Sequence, residues 1–81
     1  MKEKFRLAAA SNILVPIYYL LTEKGYTITD DGKMWLAENE KVVLIAEDTL
    51  ALAGMVYLYE NKGEDWRVDD DKIDSFVEKF C

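Results

Sequence analysis

The sequence predicts an α+β fold in which a three-stranded antiparallel sheet packs on helices, in the order α-β-β-β-α-α. Three observations support this fold class. Three short β-rich segments separated by turn residues occupy the middle of the chain, an apolar helical segment precedes them, and two segments of helical periodicity follow. Because the chain has 81 residues, residues 1–81 are predicted to form a single domain.

The first helix is predicted over residues 3–23, with Gly25 placed to end it. Pro16 lacks a backbone N–H, so a kink or a restart is expected near Ser11–Asn12, with Asn12 as the cap of the second piece. Its apolar run is short, contains polar residues and is followed by a poor cleavage site. We therefore expect a core helix here, not a signal peptide or a membrane span.

Three strands are predicted next. The segments YTIT (26–29), KMWLAE (33–38) and VVLIAE (42–47) are rich in β-branched and aromatic residues. The turn signal DDG (30–32) separates the first two, and NEK separates the last two. Short turns between adjacent strands indicate an antiparallel meander. The third strand is a continuous apolar run, which indicates either burial on both faces or cover by a central helix.

The segment after the strands has helical spacing, with Leu52, Val56 and Tyr59 on one side and Gly63 at its end. Asp48 or Thr49 is expected to cap its first turn.

The last helix is predicted over residues 70–80, because four apolar residues recur there at helical spacing. Asp69 or Asp70 lies where an N-cap belongs, and the positive end of the helix favours further aspartates. The triple aspartate 69–71 is thereby explained without a ligand. The sheet and all three helices are expected to share one core of mostly buried residues. That predicted core comprises Leu14, Ile17, Leu21, Ile28, Trp35, Val43, Ile45, Leu52, Val56, Ile73, Phe76 and Val77.

Charge is unevenly distributed along the chain, whose formal net charge is −6. Residues 1–40 carry five basic and six acidic residues, a net charge of −1, whereas residues 41–81 carry five and ten, a net charge of −5. Such a surface repels phosphate backbones and anionic membranes, so neither nucleic-acid binding nor membrane binding is expected. A basic protein is the electrostatically favoured partner.

The residue types present exclude several kinds of chemistry. The chain has no histidine, which removes Ser–His–Asp and Cys–His catalysis and the commonest zinc ligand. The aspartates 69–71 are adjacent, without the alternation or the glycine of an EF-hand loop, so no calcium site is expected. We therefore predict no enzymatic activity, no cofactor and no metal site. The single cysteine, Cys81, forms no intramolecular disulfide, which favours the cytoplasm.

Aromatic residues provide the strongest indication of an interaction surface, because adjacent tyrosines on a helix cannot all face one core. Trp66, next to Asp65, is expected to be partly exposed. The candidate interaction residues are Tyr18, Tyr19, Tyr57, Tyr59, Asp65, Trp66, Asp69 and Asp70.

The sequence therefore favours a protein-interaction module of the inhibitor or immunity type, or a homodimeric adaptor joined through the first helix. The alternatives are a small-molecule-binding or regulatory domain with a pocket between helix and sheet, a mimic of nucleic acid, and an enzyme. An exposed aromatic patch with an acidic rim would favour the first, and an enclosed cavity with convergent polar groups would favour the second.

Overall fold

The computed structural model describes residues 4–81 and contains three α-helices and one three-stranded antiparallel sheet within them. The α+β class and the order α-β-β-β-α-α are thereby confirmed. In chain order the elements are α1 (Leu14–Glu23), β1 (Thr27–Asp30), β2 (Trp35–Glu38), β3 (Val43–Ala46), α2 (Thr49–Lys62) and α3 (Asp70–Phe80). Short 3-10 turns at Ser11–Ile13 and Gly63–Asp65 precede α1 and follow α2.

The first helix begins later than its apolar run suggests. Residues 4–10 have no regular secondary structure, so the predicted start at residue 3, which lies outside the described residues, is wrong for 4–10. The expected kink or restart near Ser11–Asn12 is also wrong, because no helix precedes it; helical backbone first appears there, in the 3-10 turn Ser11–Ile13. Pro16 is the third residue of α1, where the backbone N–H has no intrahelical partner in any case. The expected cap is wrong, because Ala10 and Ile13, not Asn12, hold the N-cap positions.

Gly25 ends α1 as predicted. Its φ of +104° places it in a conformation that favours glycine. The N–H of Gly25 donates to the carbonyl of Thr22 at 3.0 Å, and the N–H of Tyr26 donates to that of Leu21 at 3.2 Å. This pair of bonds is the Schellman motif, which satisfies carbonyls left free at the helix end. The chain then enters β1 with Tyr26 pointing into the core.

The sheet has the order β1-β2-β3, and its two faces differ in what covers them. One face, the inner face, packs against α1 and α2. The register places Ile28, Ala37 and Leu44 in one row of this face, and Asp30, Trp35 and Ala46 in the next. The opposite, outer face carries Thr27, Thr29, Leu36, Glu38, Val43 and Ile45.

The register of β3 corrects two predicted core positions. Val43 and Ile45 were expected to be buried, but they lie on the outer face and are about half exposed. Leu44 and Ala46 are buried in their place. The reason is that successive side chains of a strand point to opposite faces, and both helices that pack on the sheet lie on the Leu44 side.

The core lies between the inner face and the two packed helices. Its buried apolar residues are Leu21, Tyr26, Ala37, Leu44, Ala46, Leu52 and Val56. The predictions for Leu21, Leu52 and Val56 are confirmed. The predicted residues Leu14, Ile17, Ile28 and Trp35 are only partly buried. Thr49 is buried too, and its hydroxyl donates to the carbonyl of Leu14 at 2.7 Å, which joins the start of α2 to that of α1.

The last helix is expected from the sequence to close the core, but it does not. Its predicted bounds and its N-cap are right, since the carboxylate of Asp69 accepts the N–H of Lys72 at 3.0 Å. However, within the described residues α3 has no substantial packing against another element, and Ile73, Phe76 and Val77 are exposed. The periodicity identifies an apolar stripe but does not say what the stripe contacts.

The two aspartate caps allow a direct test of this difference between α2 and α3. Asp48 caps the packed helix α2 by accepting the N–H of Ala51 at 2.7 Å, so Asp48→Ala is expected to lower the free energy of unfolding by about 1 kcal/mol. Asp69→Ala should instead lower the helicity of α3 and leave the main unfolding transition unchanged. Urea denaturation followed by tryptophan fluorescence, with circular dichroism in parallel, checks both. Equal shifts of the main transition would show that α3 is part of the core.

Candidate functional site

A groove between β3 and the C-terminal end of α2 is the main concave apolar surface near the predicted aromatic residues. Its volume is about 580 Å³. Met55, Leu58 and Tyr59 form its helical side because residues three and four apart share one face of a helix. This surface, called here the Trp66 groove, is lined by Lys41, Val42, Leu44, Met55, Leu58, Tyr59, Gly63, Glu64 and Trp66.

Local backbone geometry places Trp66 on the wall of this groove. Gly63 ends α2 with a φ of +57°, and its N–H donates to the carbonyl of Tyr59. The 3-10 turn Gly63–Asp65 then turns the chain back beside the helix. As a result Trp66 lines the same groove as residues at the start of β3, although more than twenty residues separate them in the sequence.

Trp66 is partly exposed, as its sequence context indicated, with 46% of its surface accessible. The guanidinium of Arg67 lies 4.4 Å from the centroid of the Trp66 ring. A cation stacked on an aromatic face is worth about 0.5–1 kcal/mol at an exposed site, so this contact favours one orientation of the ring. The indole is thereby held partly open to solvent.

Carboxylates flank Trp66 along the chain. Glu64 and Asp65 lie in the turn before it and are exposed. Asp69 and Asp70 follow it at the start of α3, where Asp69 acts as the N-cap. Of the predicted interaction residues, Tyr59 and Trp66 line the groove, whereas Asp65, Asp69 and Asp70 are close to Trp66 only along the chain.

The other three predicted tyrosines do not join this site. Tyr57 is exposed on α2 and is not part of the groove lining. Tyr18 and Tyr19 pack edge to face, with ring centroids 5.0 Å apart, beside a different crevice. The sequence could identify tyrosines with surplus surface, but it could not show which face of each helix the sheet covers.

That second crevice lies between α1, β2 and the start of α2, and its volume is about 380 Å³. Its walls include Tyr18, Tyr19 and Trp35. Two of its polar side chains already have partners, since Thr49 donates to the carbonyl of Leu14 and Asp48 caps α2. A pocket between helix and sheet is thus present as an open, mostly apolar crevice in which Asp48 and Thr49 are already engaged.

A polar cluster near the C-terminal end of α1 was not foreseen from the sequence. The Tyr26 hydroxyl donates to Oε2 of Glu60 at 3.2 Å, and Lys24 Nζ lies 3.0 Å from Oε1 of the same carboxylate. Burial raises the pKa of the Tyr26 phenol above its ordinary value, and the Glu60 carboxylate raises it further. These contacts tie the end of α1 to α2. They explain why a tyrosine is buried there with its hydroxyl satisfied.

The turn between β1 and β2 explains the position of Asp31. The carboxylate of Asp31 accepts the backbone N–H groups of Met34 at 2.8 Å and of Lys33 at 2.9 Å. These hydrogen bonds favour the ionised form and hold the pKa of Asp31 below its ordinary value. Asp31 therefore has a structural role in the hairpin turn.

Residues 4–81 contain neither a cluster of metal-binding side chains nor a membrane-spanning helix. No group of three or more histidine, cysteine, aspartate or glutamate side chains in that range is arranged to hold a metal ion. No helix of the same range is long and apolar enough to cross a bilayer. Cys81 is exposed and unpaired at the end of α3.

Comparison of the chain with protein-family models, curated proteins and solved structures finds no match.

Proposed function

We propose that this chain is a non-enzymatic protein-interaction module that binds a basic partner protein at the Trp66 groove. The observation that supports this most directly is a half-exposed tryptophan on the wall of an apolar groove. Tryptophan is among the residues most enriched at binding hot spots. An apolar centre bordered by charged residues is the usual arrangement of a protein–protein interface.

Charge favours a basic partner. Residues 64–74 contain six carboxylates and two basic side chains, and the whole chain has a net charge of −6. A positively charged surface would be attracted to this end of the molecule, with a faster association that weakens as salt is added. Lys41 and Arg67 near the groove would select against a uniformly cationic peptide. We therefore expect a folded basic protein that inserts an apolar side chain into the groove.

The proposed mode of action is occupation of a partner's surface, as an inhibitor, an immunity-type protein or an adaptor does. We place this activity in the cytoplasm, because the exposed single cysteine fits a reducing compartment. The small-molecule alternative has less support, since polar side chains of the Tyr18–Trp35 crevice are engaged in capping and in the Thr49–Leu14 hydrogen bond.

Trp66→Ala is expected to abolish partner capture, and Tyr57→Ala is its matched control. Both are exposed aromatic residues, but Tyr57 lies outside the groove. Wild type and the two variants are immobilised and incubated with a lysate of the source cells, and bound proteins are quantified by mass spectrometry. The candidate partner is then purified, and its affinity for each variant is measured by calorimetry. We expect Trp66→Ala to weaken binding at least thirtyfold, the size of a hot-spot loss of about 2 kcal/mol.

The control and the salt dependence decide the outcome. The proposal requires a basic protein that wild type and Tyr57→Ala retain and Trp66→Ala loses, with weaker binding at 300 mM than at about 50 mM salt. A partner that Tyr57→Ala loses and Trp66→Ala retains would move the site to the opposite side of α2. Binding that does not change with salt would remove the electrostatic part of the proposal.

A further inference from the structure

Two apolar surfaces of the chain have no partner within residues 4–81. The first is the stripe on α3 formed by Ile73, Phe76, Val77 and Phe80, of which Phe76 is 60% exposed. The second is the outer face of the sheet, where Leu36 and Ile45 are direct neighbours and Val43 lies beside them. An outer face open to water is normally polar at these positions in an antiparallel sheet. The α3 stripe and the part of the outer face formed by Leu36, Val43 and Ile45 therefore have the composition of buried surfaces.

The unsupported helix points in the same direction. An isolated helix of about 12 residues is marginal in water, and α3 has 11 residues without substantial packing against another described element. The molecule is also extended, with a radius of gyration of 15.5 Å, whereas a compact chain of this length has about 12 Å. The exposed segment 4–10 contributes to this extension as well. The stability of α3 thus requires a surface on which it packs.

We propose that two copies of this chain form a symmetric dimer in which α3 of each copy packs on the outer face of the other. The dimensions match. An 11-residue helix is about 16 Å long, and four-residue strands span about 13 Å. The stripe of four large apolar side chains would cover Leu36, Val43 and Ile45. This surface is distinct from the Trp66 groove, so the inference goes beyond the proposed function.

The exposed area supports a second copy as the occupant. The chain exposes 7226 Å², whereas a folded monomer of this mass exposes about 5,000 Å². The excess is about 2,200 Å² in each copy, and part of it belongs to the exposed segment 4–10. Burial of half of the excess on both sides gives about 2,200 Å², at the lower end of the range of obligate homodimers, about 2,000–5,000 Å². One standard interface with an unrelated protein would bury only about 800 Å² of it.

The covalent connection by itself would favour packing of α3 on the outer face of its own sheet. A tethered helix has an effective concentration in the millimolar range for a surface within its reach. Nevertheless α3 lies away from its own outer face. Each chain carries one stripe and one open face, so a twofold exchange satisfies both surfaces in both copies and closes the assembly at two.

Sedimentation velocity of wild type and three exposed-site variants tests the exchange. Phe76→Asp places a charge in the α3 stripe, and Ile45→Asp places one on the outer face. Tyr19→Asp is the matched control on α1, the helix through which a homodimer was predicted from the sequence. We expect wild type and Tyr19→Asp to be dimers at tens of micromolar. Each of the other two should raise the dissociation constant at least thirtyfold, with circular dichroism confirming that the sheet remains folded.

A mixing experiment separates exchange from other modes of pairing. An equimolar mixture of Phe76→Asp and Ile45→Asp keeps one intact pair of stripe and outer face, so it should dimerise more tightly than either variant alone. A dimer that survives Ile45→Asp but not Phe76→Asp would show pairing of α3 with α3 and overturn the exchange. A dimer lost only in Tyr19→Asp would show an interface on α1, and a wild-type monomer at 100 µM would also overturn the proposal. If an aspartate variant fails to fold, Phe76→Ser and Ile45→Ser replace it, with the same expected outcomes.

Discussion

Leu52→Ala is expected to be the most destabilising truncation in the protein, with a loss of about 2–5 kcal/mol in the free energy of unfolding. Leu52 is fully buried, with 0% of its surface accessible, at the centre of the core between α2 and the inner face of the sheet. A domain of 81 residues has a total stability of about 4–12 kcal/mol. The substitution therefore removes a large fraction of the stability. Urea denaturation at low temperature measures the loss in the free energy of unfolding.

Leu50→Ala is the matched control, because the same side chain is truncated two residues away in the same helix. Leu50 is 38% exposed, and the loss there is expected to stay below about 1 kcal/mol, since much of its surface already contacts water. Both proteins are unfolded in urea, and the midpoints are compared at equal slope. Similar losses for the two leucines would mean that α2 presents a different face to the sheet.

Helix ends were predictable from the sequence because their signals are local. Asp48 and Asp69 lie next to the backbone N–H groups that they cap, and Gly25 and Gly63 lie at positions where φ is positive. These contacts involve residues within a few positions of one another, so composition and spacing are sufficient. The start of α1 was predicted less well, because the apolar run continues into residues 4–10, which adopt no helix.

Long-range packing was less predictable. The stripe of α3 was identified correctly, but periodicity alone does not determine whether a stripe packs within the chain. The Trp66 groove likewise depends on the turn at Gly63–Asp65, which brings Trp66 to residues of β3. Tyr26 was overlooked as a core residue because its burial depends on the distant carboxylate of Glu60. None of these contacts has a signature in the neighbouring sequence.

The orientation of β3 is the clearest case, and Leu44→Ala tests it. The run Val42–Ala46 is apolar at every position, so alternation cannot assign a face. Leu44 is 7% exposed and Ile45 is 51% exposed. Leu44→Ala is therefore expected to cost about 2–4 kcal/mol, because it leaves a cavity beside Ala37 and α2. Ile45→Ala should cost less than about 1 kcal/mol in the monomer, since half of its side chain is already in water.

Protein concentration distinguishes the stability that Ile45 contributes within the monomer from the stability that it contributes through the proposed dimer. At submicromolar concentration the difference between the two alanine variants reports which face of β3 meets the helices. Contact of Ile45 with α3 of a second copy would add a loss that appears only as the concentration rises, because dimer formation stabilises by mass action. The loss at Leu44 should be the same at all concentrations. If Ile45→Ala is the more destabilising variant at the lowest concentration, β3 has the opposite register to the one described, and the helices pack on Val43 and Ile45.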